Sequence, residues 1–324
     1  MDISYSDELL AAPERIRCAI GENASHELLS AQKLIFCGCG TSYYLGAQCA
    51  LICNVNGRVA SAVDAVDILS CYTLPEADAV YVFVSRSGNS EETVRAAMAV
   101  KERGAASFYL GCTPGSRLDR ICDVSRVLPY GNEKLILESY SYYVQMAGAL
   151  RCCGIIVDEG LPKLMHKALE DGREFFSRYW KDMKISRIIS LASPFYRPLH
   201  REMMLKDGEI TQLPSEEWGI LEFRHGPRCW CDETTLIHIV SEQTTRQWDL
   251  KVAEELIGYG CPVIWYGKDA PKGCFNIDYD VAHRSAAEVL LFGAFHTSIA
   301  VETGRSRGTT PEKLKHIVYN VGGL

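Results

Sequence analysis

Two segments rich in glycine and hydroxyl residues are suited to holding an anion: Gly38-Cys39-Gly40-Thr41-Ser42, and Ser85-Arg86-Ser87-Gly88-Asn89-Ser90, with Thr93 one helical turn further on. Small residues let a backbone approach a phosphate closely, and Ser and Thr add donors without bulk. A helix beginning just behind such a loop supplies free N–H groups and the positive end of its dipole. Neither segment contains a Lys or the G-x-x-x-x-G-K-[ST] spacing, so a nucleoside triphosphate is not indicated. Either loop alone reads equally well as an N-cap and turn. The pair, each at the end of an apolar run, points to a ligand site.

A second constellation could move protons. Lys206 and Glu209 are three apart and share a helix face. Sixteen residues after Glu209 stands His225, within Glu222-Phe223-Arg224-His225-Gly226-Pro227. There Gly-Pro breaks regular structure and leaves the imidazole on a loop edge. A carboxylate and an imidazole can each be tuned to exchange protons near neutral pH. Taken alone, a helix-end carboxylate and a loop histidine are ordinary surface features. Glu216, Glu217 and Glu222 lie nearby, and composition does not choose among the carboxylates.

The elements that must position these residues alternate between apolar strands and helical stretches. Residues 2–32 read as a helix interrupted by Pro13. Strands are expected at Leu34–Phe36, Arg58–Ala62, Ala79–Val84, Ser107–Gly111 and Val124–Leu128, with helices at Tyr43–Val55, Glu92–Arg103 and Ser139–Cys153. Leu164–Met183 reads as a helix bridging to a second unit of the same order. That unit has strands at Arg187–Ala192, Ile210–Leu213, Thr235–Val240 and Pro262–Trp265, and helices at Arg197–Gly208, Trp248–Tyr259 and Leu290–Thr303. Such alternation implies parallel sheets with right-handed crossovers. The expectation is two α/β units, 1–160 and 161–324. In the second, the segments matching the anion loops read SLASPFYRP and VSEQTTRQW. The first of these lacks glycine and carries Pro194 and Pro198, so the phosphate is placed in the first unit only.

Composition narrows the partners. A hydrophobic fraction of 47% and a charged fraction of 23% are those of a globular chain. A net charge of −7 argues against a nucleic-acid surface. The 14 cysteines show no paired C-x-x-C spacing, and many sit in apolar runs such as LIFCGCG and YGCPVIW. They read as reduced, buried thiols rather than metal ligands, which implies the cytoplasm. The first twenty residues lack a signal-peptide core, and no run approaches a membrane span. No metal and no cofactor are expected.

Together, CGCGTSYYLGAQCA, VSRSGNSEETVRAA and EFRHGP resemble the sugar isomerase (SIS) domain family in its double-domain form. That family includes the isomerase part of glucosamine-6-phosphate synthase and the fructosamine-6-phosphate deglycases. The resemblance implies two flavodoxin-like three-layer α/β/α units. It implies a sugar phosphate held by Thr41, Ser42, Ser85, Arg86, Ser87, Ser90 and Thr93, with sugar contacts at Gly40, Glu138 and Ser139. Glu138-Ser139-Tyr140 stands where the synthase has a Ser-Thr-Lys run. The family's K-x-x-E before H-G-P falls on Lys206, Glu209 and His225, implying a Glu proton shuttle and a His acid that the neighbouring subunit donates. A homodimer or larger homo-oligomer is then required. The family's C-terminal Lys falls here on Tyr319. EFRHGP and the closing Gly322-Gly323-Leu324 resemble deglycases more than the synthase, and no glutaminase segment is found. The implied substrate is a 6-phosphorylated fructosamine or amino sugar losing its C–N bond. Aldose–ketose isomerisation is the alternative, and a non-catalytic sugar-phosphate sensor the third reading.

Overall fold

A computed structural model describes residues 4–22, 28–70, 75–309, 311–312, 314 and 316. The chain divides into two compact units, Met1–His166 with Leu314–Leu324, and Lys167–Lys313. Tyr319 and the Gly322–Leu324 tail lie outside the described residues.

In the first unit, α1 (Tyr5–Leu10) and α2 (Ala12–Gly21) precede β1 (Lys33–Gly38) and α3 (Thr41–Val55). Then come β2 (Val59–Asp64), α4 (Ala65–Leu69), β3 (Val80–Val84) and α5 (Glu91–Glu102). The unit continues with β4 (Ala106–Gly111), α6 (Arg117–Ile121), β5 (Val124–Val127) and α7 (Tyr140–Cys152). The five strands are parallel in the order β2-β1-β3-β4-β5. Alternate strand residues Ile35, Cys37, Tyr81, Phe83 and Tyr109 pack on one face against Val94, Ala97 and Val100 of α5, Ile68 of α4 and Leu118 of α6. Helices α3 and α7 contact each other and α2 contacts α7. Gly46 of α3 lies so close to Phe36 that an added Cβ would come within 2.9 Å of the Phe Cβ.

Helix α8 (Leu161–Phe175) leads into the second unit and is followed by a π-turn at Phe176–Trp180. That unit contains β6 (Arg187–Ala192), α9 (Arg197–Lys206), β7 (Ser215–Gly219), β8 (Thr235–Val240), α10 (Arg246–Gly258), β9 (Val263–Tyr266), β10 (Phe275–Ile277) and α11 (Ala286–Ser306). Its order, β10-β9-β8-β6-β7, repeats the first sheet strand for strand. Ile189, Leu191, Ile237, Ile239, Val263 and Trp265 meet Val252, Ala253 and Leu256 of α10 on one face. Both units are therefore parallel α/β with the flavodoxin-like order expected.

One expected strand is absent. Ile210–Leu213 is not extended: α9 instead runs on into a π-turn, Asp207–Thr211. Thr211 Oγ1 donates to the Asp207 carbonyl at 2.7 Å, and Gln212, left-handed at φ 55°, stops the turn. The strand begins only after Pro214, as Ser215–Gly219. Its polar SEEWG sequence is tolerated because β7 is an edge strand, half-buried along its length. Short β10, also an edge strand, was too brief to read from sequence. The expected helix over 2–32 is likewise not continuous: α1 and α2 are separate, and α2 ends at Gly21.

Candidate functional site

In the first unit both anion loops lie at the carboxyl ends of neighbouring strands, β1 and β3, where the strand order reverses. Ligands of open α/β sheets bind at this position. Gly40, left-handed at φ 54°, caps α3. The second loop is set by its own hydroxyls. Ser85 Oγ accepts the Gly88 N–H at 3.1 Å and lies 3.3 Å from Ser90 Oγ, and Ser87 Oγ accepts the Asn89 N–H at 3.2 Å. A hydroxyl that accepts from backbone keeps its own proton for donation. Asn89 Oδ1 accepts the Arg117 N–H at 3.1 Å, tying the loop to α6. Gly88 is left-handed, and an added Cβ would lie 2.1 Å from Ser116 Oγ and 2.5 Å from the Tyr109 hydroxyl. Only glycine fits there.

The two loops touch through Cys39 Sγ and Thr93 Oγ1, 3.7 Å apart. Burial pushes the Cys39 thiol up to about 11, so it stays neutral and places no negative charge beside an incoming anion. All thirteen described cysteines are free thiols.

Arg86 is buried and committed. Its Nη1 donates to Glu133 Oε2 at 2.9 Å and to the Leu135 carbonyl at 3.2 Å, and its Nη2 to the Ile136 carbonyl at 2.8 Å. Glu133 in turn accepts the Ser139 N–H at 2.9 Å and, more closely, the Ser141 N–H, the free donors at the start of α7. Burial pushes the Glu133 carboxyl up to about 7 against the pull of Arg86. The guanidinium thereby positions the turn that presents Glu138 and Ser139. Ser141 Oγ donates to Glu138 Oε2 at 3.3 Å, and the Tyr5 hydroxyl donates to the Glu138 carbonyl at 2.8 Å.

In the second unit the structure brings Lys206 and Glu209 together. Lys206 Nζ donates to Glu209 Oε2 at 2.8 Å and lies 3.4 Å from Glu202 Oε1. Lys206 is 4% exposed, while the Glu209 side chain retains 19%. A buried ammonium with two carboxylates is well compensated, and the more exposed of the two can face a ligand. The π-turn carrying Glu209 is secured by α11 and the residues just after it. Thr309 Oγ1 donates to the Ile210 carbonyl at 2.6 Å and Arg307 Nε to the Thr211 carbonyl at 3.2 Å, matching acceptors that the π-turn leaves open. Glu217 is instead held by Arg197 at 2.8 Å and Arg201 at 3.4 Å, and Glu216 accepts from the Trp218 indole.

His225 ends a 3-10 turn, Glu222–His225, and is exposed. Buried Phe223 roots the turn in the core, and Glu255 accepts from Arg224 at 3.0 Å and Arg228 at 3.2 Å. Among the described residues His225 makes no hydrogen bond with Glu209 or Lys206. A cavity of about 320 Å³ lined by Lys167, Asp171, Arg178, Asp278 and Tyr279, among others, includes none of the candidate residues. Sequence reading missed a buried group, Asp207, His238 and His296. The signal was a histidine inside the apolar strand Leu236-Ile237-His238-Ile239-Val240.

Residues 27–150 match the SIS domain family. The glutamine–fructose-6-phosphate aminotransferase of Pyrobaculum aerophilum is 24% identical over 325 residues, covering 93% of this chain and 53% of that protein. The same enzyme of Listeria monocytogenes is 30% identical over 248 residues, 69% of this chain and 40% of that one. The chain thus spans about half or less of the length of these curated relatives. Among solved structures, glucosamine-6-phosphate deaminase of Thermotoga maritima superposes with a TM-score of 0.82 at 19% identity, covering 97% of this chain and 98% of that one. Tagatose-6-phosphate ketose/aldose isomerase of Escherichia coli gives 0.82 at 20% identity, covering 95% and 94%. These likenesses establish the fold.

Proposed function

Starting from a chain whose residues 27–150 are an SIS domain, we propose that it is an enzyme cleaving the C–N bond of a 6-phosphorylated fructosamine or amino sugar. The observation that carries this reading is the Lys206–Glu209 contact at 2.8 Å, with Glu209 the partly exposed member on a turn anchored from α11. The relatives that act on phosphosugars by name, a deaminase and a ketose/aldose isomerase among them, support the substrate class.

In this mechanism the phosphate lies on the N-terminal ends of α3 and α5, against Thr41, Ser42, Ser85, Ser87, Ser90 and Thr93, with Arg86 holding the turn of Glu138 and Ser139. Gly40, Glu138 and Ser139 line the sugar. Glu209 takes the proton from the carbon bearing nitrogen while the carbonyl oxygen gains one from solvent, and the electrons form an enaminol. The same carboxylate returns the proton to the neighbouring carbon, which leaves an imine. Water adds to the imine carbon, and the C–N bond breaks as the nitrogen leaves with a proton. Lys206 fixes the Glu209 carboxylate. His225 serves ring opening or protonation of the departing group, donated by the second subunit of a homodimer. Its exposure, with exposed Leu221 and Trp230 close by in the chain, supports a covered position in an assembly.

Incubation with a panel of 6-phosphorylated sugars and fructosamines tests the proposal. Release of ammonia or amine together with a sugar phosphate is expected. Aldose–ketose exchange with nitrogen retained, or with no nitrogen needed, would replace it with isomerisation. Binding without turnover would indicate a sensor.

A further inference from the structure

Strand alternation in the second unit turns Ser190, His238 and Tyr266 away from α10, opposite the Ile237 and Trp265 face. His238 is thus a polar group set into an apolar layer. His200 of α9, His296 of α11 and Asp207 at the head of the π-turn are buried with it, none more than 2% exposed. His296 Nε2 lies 3.0 Å from Asp207 Oδ2, and His238 Nδ1 lies 2.9 Å from the Tyr266 hydroxyl. The His238 and His296 rings meet edge to face, with centroids 4.9 Å apart.

The ring nitrogens are not all matched. Among the described residues, His296 Nδ1 has no hydrogen-bond partner, and neither nitrogen of His200 makes a bond of good geometry. Unmatched buried donors and acceptors are rare in folded proteins and call for an explanation. One ligand atom each from Asp207, His238 and His296 lies within 4.8 Å of the others. Tetrahedral coordination by nitrogen and oxygen at normal bond lengths sets donors about 3.3 Å apart, so the group would draw in by up to about 1.5 Å to close on an ion. If His238 Nδ1–H donates to Tyr266, its Nε2 lone pair is free, the outer-shell arrangement usual for metal-bound imidazole.

We propose that Asp207, His238 and His296 bind a borderline divalent cation of the Zn²⁺ class, with buried His200 as a candidate fourth ligand. Imidazole and carboxylate suit that class, and burial leaves no room for the water shell that Mg²⁺ keeps. The ion would join the turn bearing Glu209 to β8 and α11. It would act structurally and take no part in turnover, so the proposal stands or falls independently of the substrate.

The test uses the full chain, free of any affinity tag, stripped with a chelator and reloaded at neutral pH. Cobalt should bind at about one ion per chain, giving the visible bands of four-coordinate nitrogen and oxygen ligation. There should be no thiolate charge-transfer band despite 14 cysteines. Asp207→Asn and His296→Gln should lose that ion while keeping an α/β circular dichroism spectrum. X-ray absorption of the zinc-loaded wild-type chain should show imidazole scattering and no sulfur, and it decides the matter if the variants do not fold. No uptake, a sulfur shell, or unchanged cobalt spectra in both variants would overturn the site.

Discussion

Glu209 differs from the carboxylates around it in what holds it. Glu217 is locked between two arginines and Glu216 faces an indole, whereas Glu209 has one ammonium partner and part of its surface open. In the proposed reaction it removes a C–H proton, which general base catalysis accelerates about a hundred- to ten-thousand-fold. Glu209→Gln keeps the side-chain shape, so kcat on a proven substrate should fall by about that factor with KM little changed. Steady-state kinetics read this directly, and near-normal turnover would reopen the choice toward Glu222. Glu133 offers a separate test through pH. Its folded pKa of about 7 exceeds the ordinary 4.5, so the folded chain holds this proton more tightly than the unfolded one. Its contribution is therefore full below pH 4.5 and is lost as pH rises to about 7. Urea unfolding at pH 5 and pH 7 should show Glu133→Gln losing less stability over that interval than wild type, by ~1–3 kcal/mol. Equal pH slopes would mean that Arg86 keeps the carboxylate charged throughout.

At the scale of elements, two loops and one turn do the positioning, and each depends on backbone conformation. Gly88→Ala meets both a left-handed φ and the Ser116 and Tyr109 hydroxyls. It should cost about 1–3 kcal/mol in denaturant unfolding, and sugar-phosphate affinity should weaken with it. Unchanged stability would mean that the loop shifts readily. The placement of the two Gly- and hydroxyl-rich loops at strand ends was legible in the sequence because each stands between an apolar run and a helical stretch. The Glu209 turn was half legible. Its K-x-x-E spacing shows that the side chains share a face, but Ile210-Thr211-Gln212-Leu213 alternates like a strand. Only tertiary partners, Arg307, Thr309 and the Asp207–His296 contact, make it a π-turn. The Arg86–Glu133 contact was hidden for the same reason: the two residues lie 47 apart in the chain.

At the scale of the molecule, the repeated strand order was legible because parallel α/β units alternate elements in a fixed way. The buried histidines were not, since a single polar residue in an apolar strand does not announce what lies across the sheet. The account's central claim is that Glu209 and His225 perform one reaction from two chains of a homodimer. Mixing inactive Glu209→Gln and His225→Ala chains tests it most directly. In a two-fold dimer with shared sites, each mixed pair holds one intact site, so random mixing should restore about a quarter of wild-type activity. The mixture should turn over a phosphosugar that neither variant alone converts. No recovered activity, with mixed dimers verified by native mass spectrometry, would contradict the shared site.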